Sequence, residues 1–405
     1  MSQFFGALPR SGKELSYIMP EKKRQHYVPK LYMRNFVNQN QMFMVYLLEQ
    51  KKILGPVPYQ SQCYKDYYYG SDGVWENQLS EMEKNWGTTF RAVIDEQVLS
   101  TSDIQLLKRF AMYQRQRTLA EGEYRKKERT ELLVEYGKLL YENNGWQFDS
   151  TAENICKERA IETVAPAEGL EIAKKLIGII DDLRVLIITY DTEEELISSD
   201  VPVIAINPYH YPSIGFGCMG LILLFPISPH KLIVIYDSKM YPRFRDRLYV
   251  SSRDAAEVHK LNVLQLISAE KIIYAHSGSA FNLFSEDDWQ SRIDNIKEHT
   301  ISTLGQGNNK IFVTGMRTTI LQYGFSFGEV CHRFKRIPFV CREAAPRQWD
   351  SEWEKKFDTK VQIFPAIART SPRSFAQYNL SPKELRKGCE RMATAAKVYW
   401  TQSSC

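Results

Sequence analysis

The pattern of apolar residues changes near residue 184 of this chain of 405 residues, and the change limits which fold classes are possible. Between residues 76 and 180, apolar residues recur at the spacing of amphipathic helices, while the earlier segment 42–49 alternates as a strand does. After residue 184 they form short runs that are typical of strands, with a helix predicted over 253–268. These runs are Val185–Tyr190, Leu196–Ile206, Leu221–Phe225, Leu232–Tyr236 and Ile272–His276. Helices followed by a mostly antiparallel sheet predict an α+β fold, with the N-terminal helical region packed on the sheet.

The same pattern divides the chain into three segments. Residues 1–24 are polar and basic, and we expect a flexible lead-in there. Residues 25–300 carry the helices and strands of a core α+β domain. Residues 301–405 are expected to form a C-terminal α/β addition, with strand-like 310–314 and 362–366 and a proline-capped helix over 381–399. This addition is a candidate surface for a protein partner.

Charge and cysteine usage narrow the class of protein. The net charge of +5 is mildly basic, which is compatible with a nucleic-acid partner without being diagnostic of one. Because no apolar run reaches 18 residues, we expect no membrane-spanning segment. The seven cysteines include no C-x-x-C pair, which argues against a zinc knuckle and favours reduced thiols in a cytoplasmic protein.

A histidine-containing segment, Gln25–Phe36, is the first candidate for chemistry. Pro29 disfavours helical backbone at the residue before it and is well suited to a first helical turn. The sequence therefore predicts that His26 lies on extended backbone just before a short helix. Such a histidine is a candidate base or metal ligand. The alternative is a hydrogen-bonded core or cap residue, which is the more common role of a single histidine among aromatic residues.

Two predicted helices carry polar residues on otherwise apolar faces. One face reads Glu76, Leu79, Glu83, Trp86 and Phe90, and the other reads Leu107, Phe110, Gln114, Arg117 and Glu121. If these faces point inward, burial requires partners, and Glu83 with Arg117 is the predicted pair. The alternative is that the flanking residues Met82, Ala111 and Thr118 are buried instead.

The segment Ser198–Pro202 interrupts an apolar strand and places Asp200 next to Val201 and Pro202. Proline cannot donate to a strand ladder, so Asp200 is expected on rigid, irregular backbone. It is either a functional carboxylate or a cap for nearby backbone amides. Asn262 and Gln265 lie on one face of the predicted helix over 253–268.

Taken in order, these segments resemble the family called domain of unknown function 4238, over about residues 25–276. The resembling features are His26–Pro29 with Tyr32, Arg34, Asn35 and Phe36, the acids Glu76 and Glu83, Gln114 with Arg117–Thr118, Ser199–Pro202, Phe225–Pro229 and Asn262. Val201 stands where an asparagine is common in that family. The resemblance implies no reaction, because the family is named for lacking one.

The residue types together predict a phosphate-directed hydrolase, in particular a metal-assisted nuclease acting on DNA or RNA. His26, Glu83 and Asp200 are the candidate catalytic residues and also a candidate ligand set for Mg²⁺ or Mn²⁺. The candidate substrate-binding residues are Arg34, Asn35, Gln114, Arg117 and Asn262. Without a metal, His26 would act as a general base oriented by Asp200. The alternative is a sensor or binding module in which the polar cluster is a structural hydrogen-bond network. A third class, nucleotidyl or ADP-ribosyl transfer, would need a phosphate-binding glycine loop, and the sequence has no recognisable one.

Overall fold

The computed structural model describes residues 23–163, 167–206, 216–217, 220–241, 244, 246–295, 301–304 and 311–314. Within them the chain has the α+β architecture expected from its sequence, and its helices lie mostly before its main strands. The lead-in up to residue 22 and the predicted elements over 362–366 and 381–399 lie outside the described residues. Of the C-terminal addition, the structure describes one antiparallel pair, Ile301–Leu304 with Ile311–Thr314.

The described strands outside that pair form a small ribbon and two larger sheets. In the ribbon, β1 (Arg24–His26) pairs antiparallel with β4 (Tyr64–Asp66). The four-stranded sheet has the order β3-β2-β11-β6, from Lys52–Pro58, Met42–Leu47, Ile272–Ala275 and Ser198–Ser199. The five-stranded sheet has the order β10-β5-β9-β8-β7, from Tyr249–Ser252, Arg184–Tyr190, Lys231–Tyr236, Ile222–Ser228 and Ile204–Ile206. Its pairings are antiparallel except that β10 runs parallel to β5.

The helices described are α1 (Lys30–Met33), α2 (Val74–Ile94), α3 (Thr101–Gln116), α4 (Leu119–Asn143), α5 (Ser150–Thr163), α6 (Glu168–Leu176), α7 (Ala255–Ser268) and α8 (Glu286–Asn295). Short 3₁₀ turns extend α1 over Arg34–Phe36 and α6 over Ile177–Ile180. A capping box begins α3, because the Ser100 hydroxyl accepts from the Asp103 amide while the Asp103 carboxylate accepts from the Ser100 amide.

An aromatic core joins the first helices to the five-stranded sheet. The Phe110 ring on α3 meets the Phe90 ring on α2 edge-on at 4.8 Å and the Phe225 ring of β8 at 5.4 Å, centroid to centroid. Trp86 also contacts Phe110 edge-on. Such offset ring contacts stabilise a core beyond the area they bury. They also confirm that the apolar members of both predicted helix faces point inward.

Some features of the fold differ from the sequence prediction. The face from Leu107 to Glu121 was predicted on one helix, but α3 ends at Gln116 and Thr118 caps the separate helix α4 by accepting a hydrogen bond from the Glu121 amide. The helix α5 and the parallel strand β10 were not predicted. Neither carries a strong signal, because α5 has no pronounced apolar face and β10 is an edge strand of four half-buried or exposed residues.

Within the described residues, no helix is both long and apolar enough to cross a membrane. The cysteines described as free thiols are Cys63, which is buried, and Cys156, which is half-buried.

Candidate functional site

The β1–β4 ribbon fixes the position of His26. Its strand residues pair in register from Arg24 with Asp66 to His26 with Tyr64. Pro29 then adopts extended backbone, with φ −64° and ψ 143°, and serves as the N-cap of α1. The extended histidine and the helix start predicted from Pro29 are both confirmed. His26 is consequently held on paired backbone with its ring beside that of Tyr64, at a centroid distance of 5.6 Å.

His26 lines an open cleft of about 280 Å³ between this ribbon and α2. One wall consists of His26 with the cationic residues Arg24 and Lys30. The other wall is the face of α2 that carries Glu76, Leu79, Ser80 and Glu83. Residues at i, i+4 and i+7 lie on one side of a helix, which is why Glu76, Ser80 and Glu83 share this wall. The cleft therefore has a cationic side, a carboxylate side and an imidazole.

His26 is neutral at physiological pH. Burial lowers the pKa of its imidazole to about 4, and the charges of Lys30, Arg117 and Arg24 add to this effect, while a hydrogen bond to Gln60 opposes it. That bond joins Nε2 to the Gln60 carbonyl oxygen at 3.1 Å. A carbonyl oxygen can only accept, so Nε2 carries the hydrogen and Nδ1 is the nitrogen that can take up a proton. The ring is therefore uncharged at neutral pH, with its lone pair on Nδ1.

Behind the carboxylate wall, a buried hydrogen-bond network connects α2, α3 and the His26 segment. The guanidinium of Arg117 has no exposed surface, and its two terminal nitrogens donate to Glu83 Oε1 at 3.2 and 3.3 Å. Arg117 Nε donates to Gln114 Oε1 at 2.9 Å and to the Tyr27 carbonyl at 3.2 Å, and Gln114 Nε2 donates to the same carbonyl at 3.0 Å. The Glu83–Arg117 pair predicted from the helix faces is confirmed.

This network gives Gln114 and Arg117 a different position from the one expected of substrate-binding residues. Both are buried, and neither lines the cleft. They hold the backbone of Tyr27, the residue that follows His26, so they fix the position of the His26 segment and do not face the cleft. The sequence had shown that these side chains need partners, but it had not shown that one partner is a main-chain carbonyl.

Asp200 also hydrogen-bonds to backbone groups. Its two carboxylate oxygens accept hydrogen bonds from the amides of Glu270 at 2.9 Å and Lys271 at 2.7 Å. Burial raises the pKa of Asp200 to about 6, although these amides counteract the rise. Asp200 is almost completely buried and does not line the cleft with His26. The structure thus places it as a cap between α7 and β11, which was the alternative expected from the strand interruption.

Asn262 belongs to the same structural arrangement. Its side-chain oxygen accepts from the Ile197 amide at 2.9 Å, and its nitrogen donates to the Glu195 carbonyl at 2.8 Å. One turn later, Gln265 donates to the Pro202 carbonyl at 2.9 Å and accepts from the Ser199 hydroxyl at 2.8 Å. These amides hold the irregular segment before Asp200 against α7. Asn262 therefore has no place in the cleft.

The remaining predicted binding residues lie outside the cleft lining. Arg34 is exposed on the 3₁₀ turn after α1, and Asn35 is half-buried. Sequence reasoning missed Arg24, Lys30, Ser80 and Glu76 as members of the site. A signal existed for two of them: Arg24 ends a basic cluster, and Glu76 shares the helix face of Glu83. Their position beside His26 depends on how the ribbon and α1 are placed relative to α2.

The predicted ligand set for Mg²⁺ or Mn²⁺ does not fit this arrangement. His26 and Glu83 line the cleft, but the oxygens of Asp200 are directed to the amides of Glu270 and Lys271. Across the residues that the structure describes, no group of three or more His, Cys, Asp or Glu residues could hold a metal ion.

The fold and the cleft define an α+β domain in which a neutral histidine lies on the cationic wall of a cleft, opposite a carboxylate wall. The family described as Protein of unknown function (DUF4238) matches residues 24–279, and the chain belongs to that family. The resemblance expected over about 25–276 is thereby confirmed. No curated protein and no solved structure matches the chain.

Proposed function

We propose that the protein is a phosphodiesterase that cleaves nucleic acid in the cleft at His26. The observation that carries this proposal is a neutral imidazole and two cationic side chains lining one cleft. An imidazole that is neutral at working pH can remove a proton from a nucleophile. Guanidinium and ammonium groups bind phosphate oxygens and stabilise the charge that develops on them during transfer.

Each residue has a distinct role in this proposal. Arg24 and Lys30 bind the phosphate, and His26 Nδ1 accepts the proton of the attacking hydroxyl. Arg24 also lies over the Tyr64 ring, 5.0 Å from guanidinium carbon to ring centroid, which limits the orientations of its planar fork. Glu83 fixes Arg117, and Arg117 with Gln114 holds the backbone beside His26. These last three are positioning residues.

The test is cleavage of fluorescently labelled single-stranded RNA and DNA by the wild type and by His26→Gln, each with Mn²⁺ and with a chelator. His230→Gln is the matched control, because His230 lies exposed in the turn between β8 and β9. We expect cleavage by the wild type and the control and at least a hundredfold loss in His26→Gln, the order contributed by a general base. Cleavage that requires Mn²⁺ would restore the metal-assisted mechanism predicted from the sequence.

A binding module without catalysis is the second candidate, and a specific observation favours it. Gln114, Arg117, Asp200 and Asn262 all hydrogen-bond to backbone groups, as residues of a structural network do. Wild-type protein that binds the oligonucleotides and cleaves none of them would establish this alternative. A cytoplasmic location and a protein partner for residues 301–405 remain predictions from the sequence.

A further inference from the structure

The helices α4 and α5 form an antiparallel hairpin with a small interface of its own. Gly137 on α4 faces Cys156 on α5, since a β-carbon at Gly137 would lie 2.7 Å from the Cys156 sulfur. Val134 on α4 and Ala152 and Ala160 on α5 are buried, but none of them belongs to the hydrophobic core clusters of the described residues. Such small side chains bury little apolar area, so the two helices stabilise each other only weakly.

One side of this hairpin is apolar and exposed. Tyr136 and Ile155 each directly precede a residue of the facing pair Gly137 and Cys156. One residue rotates a helix by about 100°. Because the two helices are antiparallel, this rotation turns Tyr136 and Ile155 to the same side of the hairpin. Tyr136 is 55% exposed and Ile155 is 54% exposed, so together they form an uncovered apolar surface.

The opposite side of the hairpin is charged. Lys138 and Lys157 each directly follow a residue of the facing pair, so the same rotation turns them away from the apolar side. Lys157 forms an ion pair with Glu153 at 2.6 Å. The hydrogen bond to Glu135 raises the pKa of Lys138, and the charge of Glu153, across the hairpin, adds to this rise. The hairpin therefore has one side suited to water and one side suited to a further helix.

The hairpin from residue 131 to the end of α5 is acidic, although the protein is basic. Residues 131–163 contain seven carboxylates and three cations, a net charge of −4, whereas the whole chain carries +5. Glu158, three residues after Ile155, brings an exposed carboxylate to the apolar side. Because two copies of this acidic surface would repel each other, the hairpin favours a basic segment over a second hairpin.

The sequence of residues 381–399 has the complementary pattern. The helix predicted there carries an apolar seam, the spacing by which one helix packs along another, at Leu385, Cys389, Met392, Ala396 and Tyr399. The same segment contains five cations and two carboxylates, a net charge of +3. It therefore matches both the apolar side and the acidic charge of the hairpin.

The chain also leads toward this hairpin. The strand Ile301–Leu304 contacts α4, and its partner strand ends at Thr314. The 66 residues from 315 to 380 can span a much longer distance than α4, whose 25 residues extend about 37 Å. Residues 381–399 can consequently reach any part of the hairpin of their own molecule.

We propose that residues 381–399 dock as a helix on the side of the α4–α5 hairpin that carries Tyr136 and Ile155, within the same molecule. The seam of the docked helix packs on these two side chains, and its cations lie near the carboxylates of the hairpin. α5 then gains an apolar contact that α4 alone does not supply. This interaction is independent of the reaction proposed for the cleft.

Hydrogen exchange of the full chain, measured by mass spectrometry, tests this docking. The test variant combines Tyr136→Ser with Ile155→Ser, and the matched control combines Lys138→Ser with Lys157→Ser on the opposite side. None of these four residues belongs to a core cluster of the described residues, so we expect both variants to fold. We expect the amides of residues 385–399 to exchange about tenfold faster in the test variant than in the wild type and the control.

Three results would overturn the proposal. The first is exchange of residues 385–399 at the unprotected rate in the wild type, and the second is equal exchange in the test variant and the control. The third is protection that increases with protein concentration, because it would show that the helix docks between two molecules.

A cross-link provides a second measurement, which does not depend on removing the contact. Cys389 lies in the middle of the seam, so Ile155→Cys places a second thiol opposite it; Cys156→Ser removes the neighbouring thiol. A bis-maleimide that spans about 11 Å, two helical turns, should join position 155 to Cys389 within one molecule. Lys157→Cys in the same background is the matched control and should link with a much lower yield. No link, similar yields at both positions, or links only between molecules would overturn the proposal.

Discussion

Replacing Glu83 with glutamine tests the network behind the cleft most directly. Arg117 is fully buried, and the Glu83 side chain, 28% exposed, is its only carboxylate partner within salt-bridge distance among the described residues. At 3.2 Å and an effective dielectric constant of about 20, their attraction amounts to about 5 kcal/mol before desolvation is subtracted. Leaving a buried charge unpaired costs about 3–5 kcal/mol. Because glutamine can still accept one hydrogen bond and water reaches this position, we expect a loss of about 2 kcal/mol in the free energy of unfolding.

Urea denaturation at pH 7, followed by circular dichroism, measures this loss. Glu81→Gln is the control: Glu81 and Lys84 on the same helix are both 72% exposed, and such surface pairs contribute less than about 0.5 kcal/mol at intervals of three residues. A double-mutant cycle of Glu83→Gln with Arg117→Met should give a coupling energy well above that of the surface pair. If Glu83→Gln costs no more than Glu81→Gln, the network does not hold the His26 segment as inferred.

Three further predictions concern the base and the two structural amide clusters. Burial lowers the pKa of His26 to about 4, so its imidazole stays unprotonated on mild acidification. We therefore expect kcat/KM for cleavage to stay level from pH 8 to pH 5 and to fall near pH 4. A fall near pH 6.5 would contradict the burial of the imidazole. The raised pKa of Asp200, about 6 against 3.8 when unfolded, means that its contribution to stability is present below pH 3.8 and is lost as the pH rises through 6. Asp200→Asn loses one of the two amide hydrogen bonds at every pH, so the test is the trend: the free energy of unfolding of the variant minus that of the wild type should rise between pH 4 and pH 7, and a constant difference would refute this. Asn262→Leu leaves the Ile197 amide and the Glu195 carbonyl without their partner. We expect the free energy of unfolding, measured by thermal or urea denaturation, to fall by about 2–4 kcal/mol. An unchanged stability would show that water replaces the side chain.

The local structure around the site could be read from the sequence because it depends on neighbours along the chain. Pro29 restricts the backbone of Val28 and suits a first helical turn, so the start of α1 follows from covalent geometry, whereas the pairing of His26 with Tyr64 holds His26 extended. Helical spacing likewise placed Glu83 with Trp86 and Phe90 on one face and Gln114 with Arg117 on another. The need to satisfy a buried charge then indicated the Glu83–Arg117 pair.

What the sequence determined by itself was therefore the α+β class, the faces of α2 and α3 and the family. Only the tertiary structure decided which polar residues meet. His26 and Glu76 line one cleft because of where the β1–β4 ribbon lies relative to α2, whereas Asp200 and Asn262 hydrogen-bond to backbone groups around α7. The physical reason is that a buried polar side chain bonds to whatever group lies within about 3 Å. That neighbour is set by the packing of elements far apart in the chain, which residue type and spacing do not specify.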